Sequence, residues 1–205
     1  MTGHDFGEYI TIKRPTALET GTKIRTCGIC GYVECMEMKK LVSHIRLTSS
    51  RLPLKIRQKV SLNRIVTGLA EGDYLRSAVS ANRNIATVDN RGVVTGVRPG
   101  KVKITMNFAS GVSRNVTIVV QKNKVEVTRL IVPERDIILK VKSKKKLTVR
   151  VTPVTSKEML RFQISNKRIA AVSETGIITA RNPGRTVLMV RAGRKIVKVR
   201  VVVIQ

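Results

Sequence analysis

The sequence predicts an all-β chain made of two tandem β-sandwiches, residues 42–121 and 122–205, behind a small Cys/His module at residues 1–41. Three observations carry that reading: an internal repeat at a nearly constant offset, apolar and polar residues alternating with period two, and turn residues at regular short intervals.

The repeat comes first, because it fixes the number of domains. Ile85–Gly100 reads IATVDNRGVVTGVRPG and Ile169–Gly184 reads IAAVSETGIITARNPG, an offset of 84 that sets Gly92 on Gly176, Pro99 on Pro183 and Gly100 on Gly184. Upstream, LKIRQKVSL from Leu54 aligns with LKVKSKKKL from Leu139 at an offset of 85. One domain therefore occurs twice. The alternation then gives the type of element. Val197, Val199, Val201 and Val203 are separated by Lys198, Arg200 and Val202, the pattern of a half-buried strand whose successive side chains point to opposite faces. Val102 and Ile104 against Lys101 and Lys103, and Leu139 and Val141 against Lys140 and Lys142, repeat it. Ala192-Gly193-Arg194 between two such runs reads as a hairpin turn. Many short strands punctuated by Gly, Pro, Asn and Asp favour a sandwich over a barrel or an α/β fold, and no stretch has sustained helical periodicity. The expected cores are Ile85, Val88, Val93, Val102 and Ile104 in the first copy, and Ile169, Val172, Ile177 with Val187 or Leu188 in the second.

Hydrophobic residues make up 42% of the chain, enough for packed cores, but aromatics are only 3% and Trp is absent, so the cores are expected to be β-branched. Lys and Arg number 40 against 13 Asp and Glu, a net charge of +27. The excess is uneven: residues 1–41 carry 6 basic and 5 acidic side chains, residues 42–121 carry 13 and 3, and residues 122–205 carry 21 and 5. A surface so charged attracts polyanions. Lys140, Lys142, Arg191, Lys198 and Arg200 should point away from the second core, with Lys144–Lys146 clustered beside them, and together they are the expected polyanion-binding face. The alternative is a solvated surface on which Lys protects strand edges from pairing. No apolar run is long enough to span a bilayer. The N-terminus lacks a signal-peptide pattern, so extracellular or cell-surface placement would require a signal upstream of this chain.

The run N-x-x-I-A-x-V-x-x-x-G-x-[VI]-T-x-x-x-P-G, followed by alternating valines, resembles the group 2 bacterial immunoglobulin-like domain in both copies. The resemblance implies an immunoglobulin-like sandwich of the kind found in tandem in bacterial adhesins and other surface proteins. Where that family usually has a Trp before the N-x-x-[VI]-A motif, this chain has Ala78 and Phe162, so the first core should be smaller or filled from elsewhere. Where the family has a Gly, the chain has Arg57 and Lys142, which leaves the geometry of that turn open.

Residues 1–44 hold both histidines and all three cysteines, in the order His4, Cys27, Cys30, Cys35, His44. TCGICGYVE has the C-x-x-C-G form of a zinc knuckle, in which two thiolates flank a tight turn and the glycine lets backbone amides approach the sulfurs. A closed tetrahedron needs two more ligands, and the expected zinc site is His4, Cys27, Cys30 and His44, with Cys35 as a substitute. A Cys27–Cys30 disulfide is the alternative. With few aliphatic residues, a module this small needs a staple of one kind or the other. The same stretch resembles a short repeat that accompanies these domains in bacterial surface proteins, matched by His4, Phe6, Thr16, Gly21, Cys27, Cys30 and Gly31, with His44 at the trailing position and Ala17 where a Cys is common.

Enzymatic parts are missing. Beyond residue 44 there is no His or Cys, so no Ser/His or Cys/His pair can form within the two copies. Their carboxylates, Glu71, Asp73, Asp89, Glu126, Glu134, Asp136, Glu158 and Glu174, are scattered and read as solvated loop positions. The expected function is a non-enzymatic modular surface or secreted protein, a spacer or adhesion module. The short junction Gln121–Lys124 favours a stiff rod. Expected partners are an anionic cell-wall polymer or polysaccharide, or a host surface ligand, with further domains of a longer parent. A nucleic-acid-binding protein with a zinc knuckle is the competing class, disfavoured because no helix is available for a groove and no aromatic platform for stacked bases.

Overall fold

A computed structural model describes residues 3–205. The described chain is all-β, and its one helical segment is a 3-10 turn, Leu62–Ile65. No helix among the described residues is long and apolar enough to cross a membrane. The chain divides into two compact units, one running to Val120 without Pro53–Lys55, the other holding Gln121–Gln205 with that tripeptide.

In the N-terminal module, β1 (Ile10–Lys13), β2 (Gly21–Thr26) and β3 (Val33–Met38) form an antiparallel sheet in the order β1-β2-β3. The chain folds back on itself at Gly21, where a Cβ would lie 2.6 Å from the Pro15 nitrogen and 2.7 Å from the Lys13 carbonyl oxygen; only glycine fits. The Thr16 hydroxyl accepts hydrogen bonds from the amides of Leu18 and Glu19 at 3.2 and 3.0 Å, fixing the preceding turn. The module is tied to the first sandwich through backbone: Ala17 N–H donates to the Glu71 carbonyl at 2.7 Å.

The first sandwich comprises β4 (Arg46–Leu47), β5 (Arg51–Lys55), β6 (Lys59–Ser61), β7 (Val66–Thr67), β8 (Leu75–Ser80), β9 (Ala86–Val88), β10 (Val93–Gly96), β11 (Gly100–Phe108) and β12 (Ser113–Gln121). The second comprises β13 (Arg129–Ile131), β14 (Asp136–Lys140), β15 (Lys144–Lys146), β16 (Arg150–Thr152), β17 (Leu160–Ile164), β18 (Ala170–Val172), β19 (Ile177–Ala180), β20 (Gly184–Ala192) and β21 (Lys195–Ile204). The first has sheets β5-β12-β11-β8 and β6-β10-β9 with the pair β4-β7; the second has β14-β21-β20-β17 and β15-β19-β18 with β13-β16. Strand order is the same in both, so the sequence repeat is a structural repeat.

Period-two alternation sets the cores. On β11 it buries Val102, Ile104, Met106 and Phe108; on β20, Thr186, Leu188, Val190 and Ala192; on β21, Val199, Val201 and Val203. The expected core needs correcting at one turn. Val94 and Ile178 are fully buried, whereas Val93 is half-buried and Ile177 exposed. Gly92 and Gly176 adopt left-handed backbone, φ 72° and 78°, and the next amide is captured by a side chain, Val93 by Asp89 Oδ1 at 2.8 Å and Ile177 by Ser173 Oγ at 3.0 Å. The turn therefore fixes the strand phase one residue later than the alternation alone suggests. Ile85, Val88, Ile169 and Val172 are half-buried, and of Val187 and Leu188 it is Leu188 that enters the core.

The missing Trp is replaced differently in each copy. In the second, the Phe162 ring lies against Gly176, where a Cβ would come within 2.9 Å of it. In the first, the Leu75 side chain takes the equivalent place against Gly92. A register shift between Asn107 and Phe108 sets Leu75 opposite Phe108. Bulk is also exchanged across the strands: Ala78 faces Met106 where Phe162 faces Val190. The turn that the family closes with Gly keeps its shape without one, since Arg57 and Lys142 hold φ 66° and 67°.

Candidate metal centre and basic face

The β2–β3 connection, Cys27–Gly31, is the knuckle. Gly31 takes φ 70° and its amide donates to the Cys27 carbonyl at 3.0 Å, while the Cys27 amide donates to the Tyr32 carbonyl at 2.8 Å. The N-terminal segment returns across this turn: Phe6 bridges to Cys27, and the Gly28 amide donates to the Asp5 carbonyl at 2.8 Å. That return places His4 Nδ1 3.3 Å from Cys30 Sγ. His4, Cys27 and Cys30 offer donor atoms that all lie within 4.8 Å of one another. Cys27 is buried, and Cys30 and His4 are exposed. The Cys30 amide, opposed by burial and helped by the Ile29 amide and the His4 and Cys30 side chains, brings the Cys27 thiol down to about 6.

Aromatic and cationic side chains hold the returning segment in place. The His4 ring stacks on Tyr32 with centroids 5.2 Å apart and lies 5.2 Å from Phe6. The Arg25 guanidinium covers Phe6 at 4.3 Å and Tyr9 at 4.8 Å, contacts that are favourable between a cation and a ring face. Arg25 also pairs with Glu34, which accepts a hydrogen bond from the Tyr9 hydroxyl at 2.9 Å. The Arg25 and then the Tyr9 hydrogen bonds hold the Glu34 carboxyl below its ordinary range. Sequence reasoning missed this network, although Lys23 and Arg25 alternating on one strand with Phe6 and Tyr9 nearby was its signal.

Of the four expected ligands the fold gathers three. His44 is exposed and stands apart from the donor cluster. Its backbone carbonyl is packed at Gly68, and its neighbour Ser43 bonds Asp73 and the Ala70 amide, so the residue belongs to the entry of the first sandwich. Cys35, the substitute, is exposed on β3 opposite Ile24 and is also outside the cluster. All three cysteines are free.

In the second sandwich, the face of β14-β21-β20-β17 turned away from the core presents Lys140, Arg161, Arg185, Arg191, Lys198 and Arg200, with Arg161 directly opposite Arg191. Arg161 and Arg185 are additions to the expected set. Arg200 has a partner, Asp136 Oδ1 at 3.3 Å. Lys142 and Lys144 are exposed but are not on this sheet: Lys142 occupies the left-handed turn after β14, and Lys144 is on β15 of the other sheet. Among the outer-face cations, Ile138, Val187 and Val202 help to line a shallow concavity with Arg185 and Arg200.

Two carboxylates read as solvated are structural. Asp73 accepts from the Ser43 hydroxyl and from the amides of Tyr74 and Ser110 at 2.9 and 3.0 Å. Glu158 accepts from the Val127 amide and from Lys124, both at 3.0 Å. Their partners lie 30 or more residues away in sequence, in each case except Tyr74, so no local pattern announces them.

Residues 42–120 and 126–202 each match the bacterial Ig-like domain (group 2). Among solved structures, domains 4 and 5 of the S-layer protein SbsC are 19% identical with a TM-score of 0.38, covering 63% of this chain and 76% of that one. The longer rSbsC(31-844) structure is 15% identical with a TM-score of 0.40, covering 99% of this chain and 35% of that one. A bacterial Ig-like domain containing GH10 xylanase from termite gut is 21% identical with a TM-score of 0.29, over 33% of this chain and 18% of that one. No curated protein matches the chain. With two matched copies spanning most of its length, on two sandwiches of one strand order, the chain belongs to the bacterial Ig-like domain (group 2) family.

Proposed function

We propose that the chain is a non-enzymatic module of a bacterial cell-surface or secreted protein, a spacer or adhesion segment whose second sandwich contacts an anionic wall polymer or polysaccharide. Family membership supports the modular surface role. The single observation that carries the polymer contact is the outer face of β14-β21-β20-β17, where six cations share one sheet face with one acid, Asp136. Arg161 and Arg191 stand directly opposite one another, an arrangement of like charges that is unfavourable on a bare sheet and is relieved by an intervening anion. Exposure of the cations keeps them hydrated and reachable, which suits weak, repeated contacts along a polymer.

The test is retention on immobilised heparin or teichoic acid at graded salt. Replacing Lys140, Arg161, Arg191 and Lys198 with Gln removes four charges from the face and should leave folding intact, since each is exposed and such positions usually change stability by less than about 0.5 kcal/mol. A matched variant replaces Lys142, Lys144, Lys167 and Arg168, which are exposed and off this sheet face. The face variant should elute at clearly lower salt than the matched one. Equal elution of the two would mean that retention follows net charge alone and that the face is not a site.

A further inference from the structure

We propose that His4, Cys27 and Cys30 bind one zinc ion through two thiolates and one imidazole, leaving the fourth coordination position open to an external ligand. The proposal is independent of the polymer contact, which lies on the other compact unit.

Three features of the knuckle converge on a metal. The first is spacing. Zn–S bonds of about 2.3 Å and Zn–N bonds of about 2.0 Å set tetrahedral donor atoms roughly 3.5 Å apart. His4 Nδ1 and Cys30 Sγ are 3.3 Å apart, and no pair in the trio exceeds 4.8 Å, so closure on an ion needs side-chain shifts of about an ångström. The second is the build of the turn. The Gly31 amide bonded to the Cys27 carbonyl and the Cys27 amide bonded to the Tyr32 carbonyl close a tight turn that carries both cysteines, with Cys27 buried and Cys30 exposed. The third is the effort spent on His4, whose ring is stacked on Tyr32 and set beside Phe6, itself under the Arg25 guanidinium. Thiolate donors select a soft or borderline ion, and a tetrahedral set of sulfur and imidazole nitrogen suits zinc.

The open position follows from which residues are absent. His44 and Cys35 are both outside the donor cluster, and no other His, Cys, Asp or Glu among the described residues joins it. Cys30 and His4 are exposed, so the ion would meet solvent on their side. Closed four-residue sets are structural, while sets of three protein ligands keep a place for water or another donor. The class of ligand that fits is a nitrogen or thiolate donor, such as an imidazole on another molecule.

The experiment uses the full chain, reduced and free of chelator, titrated with zinc and with Co2+ as a spectroscopic probe. One Co2+ per chain should bind, with a near-ultraviolet thiolate charge-transfer band and the intense visible bands of tetrahedral cobalt. Added imidazole should shift the visible bands as it takes the fourth position. Cys30→Ser, and His4→Phe, which keeps a ring to stack on Tyr32 but removes the nitrogen donor, should each weaken zinc at least about 100-fold, beyond the loss usual for outer-shell partners. Cys35→Ser and His44→Ala should bind as the parent does. Three results overturn the proposal: no stoichiometric metal, which would leave a thiol–imidazole pair or a disulfide; weakening by His44→Ala equal to that of Cys30→Ser, which would mean a closed four-ligand site; or visible bands indifferent to imidazole.

Discussion

Lys142 should be more stable as glycine. It sits between β14 and β15 at φ 67°, a conformation in which an L-residue's Cβ crowds the carbonyl oxygen at a cost of about 1–2 kcal/mol. Glycine escapes that crowding but loses more backbone entropy on folding, about 0.5–1 kcal/mol. The turn's backbone hydrogen bonds survive the change: the Lys142 amide donates to the Ala180 carbonyl at 3.1 Å, and the Ser143 amide to the Lys140 carbonyl at 3.0 Å. Lys142→Gly should therefore stabilise the second sandwich by about 0.5–1 kcal/mol, a rise of roughly 3–6 °C in its melting midpoint for a domain of this size. Hydrogen exchange in urea, read on peptides from β20 and β21, resolves this domain within the full chain. Lys142→Ala is the control, because it removes the same charge and side chain yet keeps the Cβ; it should gain little. Equal stabilisation by Gly and Ala would trace the effect to lost charge repulsion and refute the backbone argument. Arg57→Gly should behave alike in the first sandwich, since Arg57 holds φ 66° and its amide donates to the Gly96 carbonyl at 2.8 Å.

Asp73→Ala removes the acceptor shared by Ser43, Tyr74 and Ser110, and should destabilise the first sandwich by about 2 kcal/mol while the second keeps its urea midpoint. Glu158 should give the second sandwich an acid-sensitive component. The Val127 amide and then Lys124 hold its carboxyl below the ordinary value, so the stabilisation is present above about pH 4.3 and is lost as pH falls through the lowered native value. Glu158→Gln should flatten that part of the stability profile between pH 5 and pH 2, and an unchanged slope would count against the assignment.

The tandem architecture was legible because its signals are local. The 84-residue offset, the alternation in VKVRVVV and the turn glycines each report on a few neighbouring residues, and an alternating strand can bury only one face whatever it packs against. The knuckle was equally local: four residues and a glycine specify the turn that presents Cys27 and Cys30. His4 and His44, alike expected as ligands because they bracket the module, differ in the fold: His4 lies beside that turn and His44 stands apart from it. What separates them is the path of the chain, since residues 5–7 pair back onto the knuckle while residues 43–45 enter the next domain.

The remaining features depend on contacts between distant segments. Ala78 predicts a thin first core, but the register shift at Phe108 brings Leu75 over Gly92 and Met106 supplies the bulk across the strand. Lys142 and Lys144 look continuous with Lys140 in sequence, yet Lys142 occupies a left-handed turn and Lys144 lies on another sheet, while Arg161 joins Arg191 from 30 residues away. Sequence alone determined the two sandwiches, their strands and the turn that carries Cys27 and Cys30, because backbone preference and period-two burial act within a few residues. Tertiary structure alone decided the approach of His4 to the two cysteines, the membership of the basic face and the structural duty of Asp73 and Glu158, because each requires side chains from separate segments to meet, and only pairing and packing bring them within reach.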